Sequence, residues 1–270
     1  MQSVPDIEKD LCRTYPEHRF FQSEQGRREL RTVLAAYSLH NPTIGYCQSM
    51  NFIAGMLVMF MTEEEAFWLL CAMMEKAYLP ADNYAHSMVG TRTDQLVFKS
   101  LVETELPALS RRLEASGVQI QLVTVHWFLC AFVCTLPTES ALRIWDWFFL
   151  DGQEVLFTTA IGILKLAESR LLQATCHFEL HSIVRELGTD LHDEDALMAF
   201  LLESTKFTAS GSMQNREQLS SPPPGGRKPS RLQSFLIRLE ASQEAKEFHK
   251  RFTMHEIERL RGEFSKEVIE

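Results

Sequence analysis

Apolar residues return every three or four positions along most of the chain, and no Val/Thr/Tyr-rich alternating run is long enough to make a strand. That period gives each segment one apolar stripe, and such stripes bury themselves best against one another. The expected fold class is therefore all-α, with many helices of moderate length. "SVPD" supplies an N-cap with proline just inside for a first helix, "IEKDLCRTY". Next comes "EQGRRELRTVLAAYSLH", with Leu30, Val33, Leu34 and Tyr37 at helical spacing, and "NPTIG" breaks the pattern. Further helices are expected at "QSMNFIAGMLVMFM", "EEEAFWLLCAMMEKAY", "DQLVFKSLVETELPALSRRLEAS", "TVHWFLCAFVCTL", "TESALRIWDWFFLDG" and "EVLFTTAIGILKLAESRLLQA".

Composition narrows what such a fold can do. With 270 residues, 45% of them apolar and 23% charged, the chain has the profile of a soluble globular protein with a sizeable core. A net charge of −9 argues against a nucleic-acid-binding surface and against anionic membranes, both of which call for a basic stripe. Neither "FIAGMLVMFM" nor "LVTVHWFLCAFVCTL" reaches the ~20 apolar residues of a membrane span, so no direct membrane insertion is expected. The start "MQSVPDIEKD" has no cationic segment leading into an apolar run. Cys12, Cys47, Cys71, Cys130, Cys134 and Cys176 include no CxxC pair and are read as buried thiols, which fits a reducing, cytoplasmic setting.

Three regions are expected. Residues 1–202 carry the helical periodicity. Residues 203–231 lose it, and with "SSPPPGG" at their centre they cannot bury enough surface to offset ordering entropy, so they are read as disordered. Residues 232–270 are charged and helical in pattern, with Phe248, Phe252, Ile257, Leu260 and Phe264 on one side. No internal repeat is visible.

Few residues suggest chemistry of their own. His126, Cys130 and Cys134 share a helical face, but at about 1.5 Å rise per residue the outer two lie roughly 12 Å apart, too far for one ion. "HFELH", with His177 and His181, has its glutamate one place late for a metalloprotease helix. No GxSxG, GxxxxGK[ST] or GxGxxG stretch is present. Trp145 is read as core and Asp146 as a partner of Arg143. Two polar residues stand in odder places. Arg13 follows Asp10 by three, so the carboxylate can aim the guanidinium from the same short helix while Ile7 and Leu11 anchor inward. Gln48 stands between a turn and an apolar helix, where Tyr46 can brace it. Taken alone, each has a plainer reading, as a solvated charge and as a first-turn polar residue.

Together these segments resemble the Tre-2/Bub2/Cdc16 (TBC) domain of GTPase-activating proteins for Rab GTPases. The family's IxxDxxR motif stands here as Ile7, Asp10 and Arg13, and its YxQ motif as Tyr46, Cys47 and Gln48. "ALRIWDWFFLDGQEVLFTTAIGIL", "HWFLCAFVCTLP" and "FTMHEIERLRGEFSKEVIE" are similar to later blocks of the same domain, which extends the resemblance over most of the chain and makes residues 232–270 its expected end. There are departures. The helices that precede IxxDxxR in the family are expected to be missing. Residues 203–231 read as an insertion before the final helix. Ser49 replaces a glycine common after the glutamine, adding a Cβ and a hydroxyl that bear on the angle of Gln48.

The resemblance implies a dual-finger activator of a GTP-bound Rab-family GTPase. Arg13 is then the arginine finger and Gln48 the glutamine finger, with Ile7, Asp10 and Tyr46 in support. No cofactor of its own is implied, because GTP and Mg²⁺ belong to the partner. The location implied is cytoplasmic, with recruitment by a Rab to the cytosolic face of a membrane. The alternative is a non-catalytic TBC-like scaffold that binds a Rab or another protein without accelerating hydrolysis.

Overall fold

The computed structural model describes residues 4–75 and 78–204, which form thirteen α-helices and one short 3-10 turn, with no strand among the described residues. In order the helices are α1 (Val4–Leu11), α2 (Arg19–Gln22), α3 (Glu24–His40), α4 (Met50–Phe60), α5 (Glu63–Glu75), α6 (Val89–Glu105) and α7 (Pro107–Ala115). They continue as α8 (Ile120–Leu129), α9 (Thr138–Asp151), α10 (Glu154–Leu166), α11 (Glu168–Gln173), α12 (His177–Glu186) and α13 (Glu194–Ser204). The described residues adopt the expected all-α class. α13 runs two residues into the stretch expected to be disordered; the rest of that stretch and the charged helical segment at 232–270 lie outside the described residues.

The first layer is a cluster of α1, α3, α4 and α5, in which α3 packs on the other three and α4 packs on α5 and α1. α3 is amphipathic as its spacing requires: Leu30, Val33, Leu34 and Tyr37 are buried, and Ser23 caps its first turn by accepting from Gly26 N–H at 3.0 Å. α4 is apolar nearly all round and accordingly interior, burying Met50, Asn51 and every residue from Ile53 to Val58. A second group forms around α6, α8, α9 and α10. In α10 ten successive residues, Val155 to Leu164, are buried, and Gly162 lets α13 come so close that a Cβ there would lie 2.1 Å from Leu201 Cδ2.

Several helix boundaries differ from the periodicity. α1 stops at Leu11, so Arg13 is in the turn beyond it and not on the helix itself. The spacing to Asp10 survives because Arg13 N–H bonds Asp10 C=O at 3.2 Å, a three-residue closure that tightens the last turn. α4 begins at Met50, leaving Gln48 in the preceding turn. The long segment ending in "SRRLEAS" divides at Leu106, because Pro107 starts a new helix at its first position. The "HWFLCAFVCTL" helix ends at Leu129, where Ala131 and Phe132 turn left-handed (φ +44° and +66°). Trp145 Nε1 donates to Ala131 C=O at 2.9 Å and Tyr84 OH to Leu129 C=O at 2.9 Å, holding that turn from a distance in sequence.

Two readings of side chains fare differently. Trp145 is buried as expected, and Asp146 approaches Arg143 Nη1 at 3.7 Å. The cysteines were expected to be buried throughout, yet only Cys71 and Cys130 are; Cys47 is half-buried, and Cys12, Cys134 and Cys176 are exposed. Those three lie in turns or at a helix start, where the apolar stripe no longer governs which way a side chain faces.

The turn after α1 rests on α4 at Gly55, where an added Cβ would lie 2.9 Å from both Thr14 Cγ2 and Tyr15 Cε2. Tyr15 cannot give way easily, since its hydroxyl donates to Phe52 C=O at 2.9 Å and its ring lies edge-on to Phe52. Gly55→Ala is therefore expected to destabilise the protein by about 1–3 kcal/mol through overpacking. Thermal melting followed by circular dichroism checks this, with an expected fall of roughly 3–10 °C.

Candidate functional site

Both short motifs converge on one carboxylate. Ile7 and Leu11 bury the inner face of α1, and this carries Asp10 inside, where the residue is only 4% exposed. A buried carboxylate is stable only when paired. Asp10 Oδ1 receives Arg13 Nη2 at 2.6 Å, and Oδ2 accepts from Tyr46 OH at 2.5 Å. The second contact corrects the sequence reading. Tyr46 braces Asp10, and through it the arginine loop, while holding Gln48 only by way of the backbone. Burial, followed by the bond to Asp10 and its charge, raises the Tyr46 phenol far above its ordinary range, so it remains a donor.

Among the described residues Arg13 is anchored at one edge only. Its side chain is 49% exposed, so the guanidinium presents further N–H donors to solvent while the carboxylate fixes its direction. Gln48 is exposed, and among the described residues its carboxamide has no hydrogen-bond partner. Cys47, between Tyr46 and Gln48, is half-buried; desolvation first and Asp10 second push its thiol up from the ordinary value, which makes it a poor nucleophile.

A second connection, missed by the sequence reading, lies beneath the first. Thr14 Oγ1 donates to Asp10 C=O at 2.7 Å and accepts from Asn51 Nδ2 at 2.8 Å, while Asn51 Oδ1 accepts from Ser49 N–H at 3.1 Å. Thr14 and Asn51 are both buried. The available signal was a single amide inside the apolar run "MNFIAGMLVMF". Asp10 thus joins Arg13 to Tyr46, two residues before Gln48; Arg13 and Gln48 are exposed, Ile7 and Asp10 are buried and Tyr46 is half-buried.

Ser49 departs from ordinary backbone. It holds φ +102° and ψ −32°, in territory that glycine enters freely and a Cβ resists. Although serine is a favoured helix N-cap, this one makes no side-chain capping bond at α4, and among the described residues its buried hydroxyl has no partner. The position after Gln48 is therefore strained by its side chain.

The Rab-GTPase-TBC domain profile matches residues 1–172. Among curated relatives, small G protein signaling modulator 3 of Bos taurus is 38% identical over 199 residues, covering 73% of this chain and 26% of that protein. Growth hormone-regulated TBC protein 1 of Xenopus laevis is 43% identical over 172 residues, covering 62% of this chain and 50% of the relative. The chain therefore spans about a quarter of the first and half of the second. The crystal structure of the Chlamydomonas flagellar RabGAP TBC domain superposes with a TM-score of 0.67 at 35% identity, over 74% of this chain and 67% of that one.

Ser49→Gly removes both the left-handed strain, worth about 1–3 kcal/mol, and a hydroxyl buried without a partner. Glycine's extra freedom in the unfolded chain offsets roughly 0.5–1 kcal/mol of that gain. The variant is expected to be more stable by about 1 kcal/mol, read as a rise of about 2–4 °C in melting temperature.

Proposed function

The chain belongs to the Rab-GTPase-TBC domain family, and from that premise we propose that it stimulates GTP hydrolysis by a Rab-family small GTPase, supplying Arg13 and Gln48 in trans. One observation carries this reading: the Asp10 carboxylate grips Arg13 with one oxygen and the Tyr46 loop with the other, so two exposed side chains of complementary chemistry stand on a common base.

The two groups match the two deficits of a slow GTPase, unneutralised charge on the phosphoryl oxygens and a loosely held water. The Arg13 guanidinium is planar and permanently charged, and it would spread its donors over oxygens between the β- and γ-phosphates. The Gln48 carboxamide offers an acceptor and two donors without titrating, which suits it to align water in line with the γ-phosphorus. GTP and Mg²⁺ would arrive with the partner. Among the described residues no helix is long and apolar enough to cross a membrane, and recruitment to a membrane surface would come through the bound Rab. A non-catalytic Rab-binding scaffold is the second reading. It is favoured by Ser49, whose strained backbone adjoins Gln48.

Single-turnover GTP hydrolysis across a panel of purified GTP-loaded Rabs separates the two: an activator accelerates at least one Rab, whereas a scaffold binds and accelerates none. An arginine finger is worth roughly 10³ to 10⁵ in rate, about 4–7 kcal/mol of barrier. Arg13→Ala is expected to lose that factor, and Arg13→Lys nearly as much, since an ammonium cannot fork across two oxygens. Gln48→Ala is expected to abolish stimulation. Asp10→Asn should do less, because Asp10 only aims the arginine; wild-type-like rates for Arg13→Lys would remove the finger from the mechanism.

A further inference from the structure

Gln48 is the only exposed residue of the run from Gly45 to Met50, and it is held from both sides by bonds that end on Asp10. On one side Tyr46 OH reaches the Asp10 carboxylate. On the other, Ser49 N–H is bonded to Asn51 Oδ1, Asn51 Nδ2 to Thr14 Oγ1, and Thr14 Oγ1 to the Asp10 carbonyl. Ser49 N–H belongs to the same planar peptide unit as the Gln48 carbonyl, so fixing that N–H fixes the plane from which Gln48 projects. We propose that Thr14 and Asn51 are positioning residues that set where Gln48 stands relative to Arg13, so that the two fingers reach their targets together. This rests on the activator reading above.

The relay has only one consistent direction of donors. The Asn51 amide uses its oxygen toward a backbone N–H and its nitrogen toward a hydroxyl, and that hydroxyl still has its own proton for Asp10 C=O. Asn51 is 0% exposed, so a partner lost here is not replaced by bulk water. The anchor also holds Ser49 in its strained left-handed conformation, which would relax if the peptide were released. A displacement of about 1 Å at a group that orients the reacting water is enough to cost on the order of 10²-fold in rate.

The decisive comparison is Thr14→Val against Thr14→Ser. Valine keeps the methyl that rests against Gly55 and removes the hydroxyl, whereas serine does the reverse. With a Rab that responds to the wild-type protein, Thr14→Val should lower kcat by at least tenfold and leave KM within about twofold, because Rab binding does not depend on the plane of Gln48. Thr14→Ser should restore kcat. Amide hydrogen exchange gives a second reading independent of activity: Ser49 N–H should exchange faster in Thr14→Val and at the wild-type rate in Thr14→Ser. Wild-type kcat in Thr14→Val, a loss confined to KM, or equal damage by both variants would overturn the positioning role while leaving the activator reading intact. A wild-type protein that accelerates no Rab would overturn both.

Discussion

A carboxylate taken out of water has to be answered by partners, and the first half of this protein is arranged around that requirement. Asp10 is drawn inside because Ile7 and Leu11 on the same face of α1 pack into the core beside α3 and α4. Once there, it binds a guanidinium from the turn three residues on and a phenol from a loop thirty-six residues on. Neither partner satisfies the carboxylate alone. The need to neutralise and hydrogen-bond one buried group therefore determines how two distant loops sit with respect to each other. The underlying relay through Thr14 and Asn51 repeats the connection with neutral groups.

The same arrangement lets an all-helical body present exposed polar side chains on the short turns between its helices. α3, α4 and α10 bury mainly apolar side chains, which contain almost nothing that could react. The exposed groups stand just outside the ends of helices: Arg13 past the end of α1, Gln48 ahead of the start of α4. Rigid elements thus supply position and the turns between them supply reach. Gly55 contributes by letting α4 lie directly against the turn that carries Arg13.

The sequence revealed the helices because their stripes are local: Leu30, Val33, Leu34 and Tyr37 need only a 3.6-residue period to declare one face. It did not reveal the end of α8, since the left-handed turn at Ala131 and Phe132 is held by Trp145 and Tyr84, residues no periodicity connects to it. At the site, Asp10 and Arg13 were legible as a pair three apart, and their family as a pair of motifs. The partner of Tyr46 was not, because a phenol beside Gln48 in sequence looks like its neighbour's support until the fold brings Asp10 across. Asn51 and Thr14 lie thirty-seven residues apart, and only the polarity of Asn51 within an apolar helix hinted that it had somewhere to bond. The exposed cysteines show the converse: in turns, composition carries little information about burial.

The two exposed side chains also differ in how much freedom they retain. Arg13 has already surrendered part of its rotamer entropy to Asp10, whereas among the described residues the Gln48 side chain has no hydrogen-bond partner. Stilling a long side chain costs about 1.5–2 kcal/mol at room temperature. Any docking event that engages both will meet that entropic charge mainly at the glutamine, so warming should weigh on its engagement more heavily than on the arginine's.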